Sequence, residues 1–310
     1  MTFALHVQTI SWPRASGGSV AANAARARDI IGRSRRDTSL VLCFPEGFLD
    51  WGVKAPIDEL QAAIDEALPA LCRAAEGIQG IVAIPAIRTG APGREVVTHL
   101  VDGAGVIAAT YAKRFPWPAQ PGLEKLEYDA VPGNGIALTQ VGACRVSVQM
   151  CFDVNFPSGW EELAAADADL ILFPSAYPAG FGLRARAWDC EAMVAAAVLG
   201  DGPSPLIDST GQIVAMRGSA DNGVCVRLNC NRALVHLDHQ RVRIERLHAR
   251  HPQLCIARLE HDNVALIEGA EEGPPVRALL AQEGIVDRRT YLRRAREAID
   301  ARRDSRRAAE

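Results

Sequence analysis

Along this chain, short unbroken apolar runs alternate with stretches in which apolar positions recur every three or four residues. Residues 3–10 form a β-rich start, and the alanine-rich stretch 20–33 carries Ala25, Ile30 and Ile31 at helical spacing. SLVLCF (39–44) is continuously apolar, as expected of a strand buried on both faces, and Pro45 stops it. A second helix is predicted over 56–76, with Ile57, Leu60, Ala63, Ile64 and Leu68 on one face. GIVAIPAI (80–87) reads as a strand. Residues 96–102 and 105–112 read as a hairpin across Asp102-Gly103, a pair suited to a tight turn.

The pattern then lapses. From 114 to 135 there is no period, and Pro116, Pro118, Pro121 and Pro132 interrupt the stretch; a loop of that length in a compact chain is usually functional. In CRVSVQMCFDVNFPSGWEEL (144–163), Val146, Val148 and Met150 alternate with Arg145, Ser147 and Gln149, the period of a half-buried strand. Pro157 forbids further ladder pairing, and Ser158 with Glu161 has the form of a capping box, which predicts a helix over 159–168. Residues 170–173 read as a strand, 184–199 as a helix broken at 200–203, 205–209 and 212–216 as a hairpin, and 233–238 as a strand. Strands alternating with helices, with hairpins mixed in, indicate an α/β fold with a mixed sheet. After about residue 259 the character changes. Residues 262–285 read as a partly apolar extension, and 286–310 as a helix with nine arginines interleaved with five acids. The predicted organisation is a main domain over 1–261 and a helical extension over 262–310.

Composition narrows the function classes. The chain has 310 residues, 48% of them hydrophobic, and a formal net charge of −3, which argues against nucleic acid or an anionic membrane as the main partner. No basic region precedes an apolar run at the N-terminus, and no apolar run is long enough to span a bilayer. The eight cysteines are scattered without a CxxC, so a reduced, cytoplasmic setting is expected. Of the 34 basic residues only Lys54, Lys113 and Lys125 are lysines, so a lysine at a strand end is a pointed choice.

Glu46, Lys113 and Cys151 each follow an apolar strand, and in α/β sheets sites gather beyond the carboxyl ends of strands. Taken singly, each has a plainer reading: a solvated carboxylate, a surface charge, a packed thiol. Together their chemistry fits. A thiol must lose its proton to attack carbon, a partly buried carboxylate can take that proton, and an ammonium beside them stabilises the thiolate and an oxyanion. Glu46 is then the base, Cys151 the nucleophile, Lys113 the electrostatic stabiliser, and the Phe152 N–H a further oxyanion donor.

At these residues the sequence resembles the nitrilase superfamily of carbon–nitrogen hydrolases. The resemblance rests on FPEGF (44–48), VDGAGVIAATYAKR (101–114) and VQMCFDVNFP (148–157), followed in order by LILFPSAYP (170–178), RARAWDCEAMVAAAV (184–198), SPLIDSTGQIVA (204–215) and RIERLHARHPQLCIARL (243–259). It covers residues 4 to 259. It implies a four-layer αββα sandwich of two mixed sheets, a thioester on cysteine, no cofactor and no metal, and a homo-oligomer. It also implies an accessory glutamate in the loop after the lysine, for which PGLEKLEYDAVPG (121–133) offers Glu124 and Glu127, with Glu124 the better fit.

Three departures bear on substrate. Asp189-Cys190 replaces the common Glu-Asn, Ser158 replaces a common glutamate, and Asn155 stands where carboxylate-binding amidases of the family have arginine. Phe152-Asp153 in place of Trp-Glu resembles the amidase and carbamoylase branches rather than the nitrile-cleaving one. The expected activity is therefore cysteine-dependent hydrolysis of a small amide or N-carbamoyl compound, with a nitrile as the alternative substrate. Phe48, Trp117, Phe152, Asn155 and Tyr177 are the expected pocket wall. Three rival readings remain: a metal site drawing on His236, His239, His248 and His251, a Cys–His hydrolase, and a non-catalytic protein using the arginine-rich tail.

Overall fold

The computed structural model describes residues 2–12, 18–90, 93–200, 202–217 and 223–307. The chain divides into two compact units, residues 4–228 and residues 229–310 together with the first three. The division falls earlier than the boundary at 261 expected from the sequence, so 229–261 group with the C-terminal segment.

In the larger unit, β1 (Ala4–Thr9), α1 (Val20–Arg33), β2 (Leu40–Cys43), α2 (Ile57–Ala74), β3 (Gly80–Thr89), β4 (Arg94–Asp102) and β5 (Ile107–Ala112) come first. Then follow β6 (Leu138–Val141), β7 (Cys144–Val148), α3 (Pro157–Ala165), β8 (Leu170–Ser175), α4 (Gly180–Cys190), β9 (Met193–Val198), β10 (Ser204–Ile207), β11 (Ile213–Arg217) and β12 (Val224–Asn229). They build two six-stranded sheets, ordered β12-β1-β2-β3-β4-β5 and β11-β10-β9-β8-β7-β6. Both are mixed. β1, β2 and β3 are parallel, with β4 and β5 added antiparallel; β7, β8 and β9 are parallel, with β6 and β10 antiparallel at either side.

The sheets meet face to face, β1 against β9 and β2 against β8. On the outer side of the second sheet, Trp160 and Leu163 of α3 and Leu183 and Ala187 of α4 pack on Ile171 and Phe173 of β8 and on Val194, Ala196 and Val198 of β9. Leu170 and Leu172, also fully buried, belong to the opposite face by the two-residue strand period. On the first sheet α1 packs along α2, and α2 rests on β3. This is the αββα sandwich the resemblance implies.

Two predicted elements are corrected. The stretch 184–199 is not one helix: it ends at Cys190, turns through Glu191 in a left-handed conformation, and continues as β9. MVAAAV is apolar on both faces, and a short run of that kind carries no period that separates strand from helix. Ser158 does not cap α3. The helix starts at Pro157, whose fixed φ suits the first helical position, and Phe156 precedes it without a side-chain bond. The expected break at 200–203 and the end of the terminal helix at 308–310 lie partly outside the described residues.

The smaller unit holds β13 (Arg232–His236), α5 (Arg241–Arg250), β14 (Cys255–Leu259), β15 (Val264–Glu268), α6 (Val276–Gln282) and α7 (Arg288–Arg307). β15 is the middle strand of an antiparallel three-stranded sheet. Val235, Ile244, Leu247, Ile267, Val276 and Leu280 lie in its core. The expectation of a purely helical extension is corrected at β15, a four-residue apolar run too short to show alternation. α7 buries no side chain, and Tyr291 stacks on His236 with ring centroids 4.5 Å apart.

Candidate active site

Three strands deliver three polar side chains to one place. Glu46 lies three residues beyond β2, Lys113 directly after β5, and Cys151 three residues beyond β7, and all three are buried. The Lys113 Nζ donates to Glu46 Oε1 at 2.5 Å and to Glu127 Oε1 at 2.5 Å. Glu46 and Lys113 lie close enough to the Cys151 sulfur to act on its proton, as does the backbone of Ala176, just past β8. Cys151 opens a short 3₁₀ turn with φ at 47°, a left-handed conformation that non-glycine residues seldom take. The bend seen in the sequence is therefore a strained one, as is common where a side chain must be aimed.

Asp153 supports that bend. Its Oδ2 accepts from the Met150 N–H at 2.9 Å and from the Tyr111 hydroxyl at 2.7 Å, and its Oδ1 accepts from the Phe115 N–H at 2.9 Å. Its backbone carbonyl accepts from the Trp160 indole at 3.0 Å. Asp153 is fully buried, and burial pushes its carboxyl up to about 6 against the pull of these donors. The residue that marked a branch in the sequence is a strut behind Cys151.

Electrostatics set the resting protonation. Burial raises the Cys151 thiol well above its ordinary range; the Glu46 charge adds to this and the Lys113 charge only partly opposes it. Burial alone would lower the Lys113 ammonium, but the charges of Glu46, Cys151 and Glu127 outweigh it and keep the ammonium protonated. Burial raises the Glu127 carboxyl, Glu46 adds to the rise, and Lys113 opposes it.

The glutamate bonded to Lys113 is Glu127, not Glu124. The loop folds back on itself, with Pro118 bridged to Leu126 and the Glu127 N–H bonded to the Trp117 carbonyl at 2.8 Å. Glu127 thus lies at the base beside Lys113 and accepts from the Trp117 N–H at 2.8 Å, while Glu124 is exposed near the tip. Further on, the Gly133 N–H bonds the Lys113 carbonyl at 2.8 Å. A Cβ on Gly133 would lie 2.4 Å from the Ala112 oxygen, so the close approach requires glycine.

Above these groups opens a cavity of about 790 Å³ with Cys151 in its wall. Trp117, Phe152, Asn155 and Tyr177 line it, where the sequence reading put them. Asn155 Nδ2 bonds the Phe152 carbonyl at 3.0 Å. Phe48 does not line it. The turn after Glu46 buries Phe48 completely, stacked on Phe44 at 4.7 Å and edge-on to Trp12 at 5.2 Å. Gly47, Asp50, Trp51, Tyr128, Ala176 and Leu199 line the cavity and were not anticipated. Asp50 and Trp51 sit in an irregular turn with no period to read, and Tyr128 takes a left-handed φ of 53° that no pattern announces.

No histidine is among the described residues lining the cavity, and among the described residues no group of three His, Cys, Asp or Glu is placed to hold a metal ion. Among the described residues, too, no helix is long and apolar enough to cross a membrane.

With that geometry in view, the carbon-nitrogen hydrolase family model matches residues 13–228. The chain belongs to that family. Its match to the deaminated glutathione amidase of Mus musculus is 29% identical over 147 residues, 41% of this chain and 45% of the relative. The enzyme of the same name from Dictyostelium discoideum is 29% identical over 138 residues, 38% and 47% of the two chains. The chain thus matches under half the length of each curated relative. Among solved structures, the amidase from Nesterenkonia sp. aligns with a TM-score of 0.59 at 23% identity, covering 80% of this chain and 95% of that one. A variant of the same amidase in complex with butyramide also gives 0.59, at 22% identity, covering 80% and 96%. The fold is shared with that amidase.

Proposed function

We propose that this carbon-nitrogen hydrolase cleaves the C–N bond of a small amide or N-carbamoyl compound through Glu46, Lys113 and Cys151. The observation that carries the reading is that Glu46, bonded to Lys113, lines the same cavity wall as Cys151. Because the resting thiol keeps its proton, attack needs a base, and Glu46 is the carboxylate whose charge acts on it. Glu46 takes the proton as sulfur bonds to the carbonyl carbon. The oxyanion is held by the Lys113 ammonium and the Phe152 N–H. Glu46 returns the proton to the leaving nitrogen, the C–N bond breaks, and ammonia or an amine departs from a thioester. Water, losing a proton to Glu46, then attacks the thioester, and the carbon–sulfur bond breaks to release the acid and restore the thiol.

Glu127 shares the ammonium and holds it toward the carbonyl oxygen. An amide is also the bond that the curated relatives' name specifies, which supports an amide over a nitrile. No disulfide joins any of the eight cysteines, which supports a reducing, cytoplasmic setting. The test is an ammonia-release screen over amides, N-carbamoyl compounds and nitriles, with Cys151→Ala as the blank. Release from amides by the wild type alone supports the reading. Release from nitriles alone moves the chain to the nitrilase branch, and no difference from the blank on any substrate sinks the enzyme reading.

A further inference from the structure

The cavity wall holds a polar pair that the proposed chemistry leaves unused. Asp50 Oδ2 accepts from the Tyr128 hydroxyl at 2.8 Å, and both residues line the cavity. The other oxygen lies on the Gly47 side: a Cβ on Gly47 would be 3.7 Å from Asp50 Oδ1 and 3.7 Å from the Tyr128 hydroxyl. Gly47, with φ at 70° and no side chain, leaves that space open directly beside Glu46. Burial raises the Asp50 carboxyl, the Tyr128 bond works against the rise, and the Glu46 charge adds to it. A cation beside Asp50 would relieve both the burial and the repulsion.

The sign of the cavity agrees. Glu46, Asp50 and Glu127 line it, and no arginine, lysine or histidine is among its described lining residues. The ammonium of Lys113 is already shared between two of those carboxylates. Trp51, Trp117, Tyr128 and Tyr177 supply aromatic faces, which attract cations. An acyl chain ending in a carboxylate would meet like charge at Asp50.

We propose that Asp50 is a specificity-determining residue that binds an ammonium or guanidinium group on the acyl chain of the amide substrate, with Tyr128 fixing its carboxylate. This rests on the amide-hydrolase reading for the scissile end. It is tested by binding, which does not require turnover. Calorimetric titration of Cys151→Ala with 5-aminopentanamide, pentanamide and glutaric acid monoamide compares a cation, a neutral end and an anion on one chain length. The amine is expected to bind about thirtyfold tighter than pentanamide, with the monoamide weakest. Adding Asp50→Asn is expected to remove that advantage while leaving pentanamide within about twofold.

Equal binding of the three ligands by Cys151→Ala overturns the proposal, and this comparison holds even if the Asp50 variant fails to fold. Equal weakening of all three ligands by Asp50→Asn also overturns it, since a mere strut for the Tyr128 turn would act that way. Ammonia release from these amides by the wild type separates the two claims. Release without a binding preference removes the cation subsite and keeps the hydrolase. A binding preference without release keeps the subsite and removes the hydrolase.

Discussion

The Phe115 backbone N–H donates to Asp153 Oδ1 at 2.9 Å, tying the second residue after Lys113 to the second residue after Cys151. Lys113 comes from the first sheet and Cys151 from the second, so their separation is set by this bond and by the Tyr111 hydroxyl on Asp153 Oδ2. Asp153→Asn keeps the shape but must turn an NH₂ group toward one of these buried donors. We expect kcat/KM to fall about a hundredfold on every substrate, because displacement of about 1 Å costs that much. Tyr111→Phe, which removes one of the donors to Asp153 and a 3.4 Å contact to Gln149 Oε1, should fall less. Steady-state kinetics on both variants checks the order.

The same carboxyl makes stability depend on pH. Its folded value of about 6 lies above the unfolded 3.8, so the folded state holds a proton that the unfolded state has released. This contribution is fully present below pH 3.8 and is lost as pH rises through 6. Between pH 4 and 7 the wild type should lose on the order of 3 kcal/mol relative to Asp153→Asn. Urea unfolding of the two proteins at both pH values measures the difference, from which other titrating groups cancel.

Glu127 and Glu124 should separate cleanly. Removing the Glu127 charge frees Lys113 to lean fully on Glu46, and kcat for Glu127→Gln is expected to drop about a hundredfold. Exposed Glu124→Gln should stay within about twofold of the wild type, since a solvated side chain contributes little. Assays run side by side decide between them, and equal losses would contradict the placement.

Phe48 and Trp117 should fail in different ways. Phe48→Ala empties a fully buried site and is expected to cost about 3–5 kcal/mol in unfolding free energy. Trp117 is half exposed at the cavity mouth. Its alanine variant should change stability by under about 1 kcal/mol and raise KM instead. Thermal unfolding and KM on one amide distinguish the two.

Gly133→Ala tests the seam under Lys113. The new methyl would press on the Ala112 oxygen and Cβ, and we expect a loss of about 1–3 kcal/mol together with reduced kcat, since Lys113 is the adjoining residue. A stability loss with unchanged kcat would show that the displacement stops short of the ammonium.

The residues legible in the sequence were those attached to regular elements. Glu46, Lys113 and Cys151 each end an apolar run, so strand rhythm alone brought them to one edge. The sequence offered Glu127 beside Glu124 but favoured the wrong one for contact with Lys113, because a loop that pairs Pro118 with Leu126 reorders distance along the chain. Phe48 was misplaced for a similar reason: the turn at Gly47 follows no period, and the more apolar residue went inward while Asp50 lines the cavity. β9 was hidden by its alanines, which favour helix locally but here fill a strand buried on both faces. In the smaller unit, the apolar run of β15 was too short to announce a central strand.

Cys151 differs from its fellow thiols in what it risks. Peroxides and soft electrophiles consume thiolates, not thiols. A sulfur that is nearly buried and keeps its proton beside Glu46 offers them little, whereas Cys225 and Cys255 stand exposed. On the proposed mechanism, Cys225 and Cys255 should be oxidised before Cys151 on peroxide treatment, and the burial that keeps Cys151 idle between substrates would also preserve it.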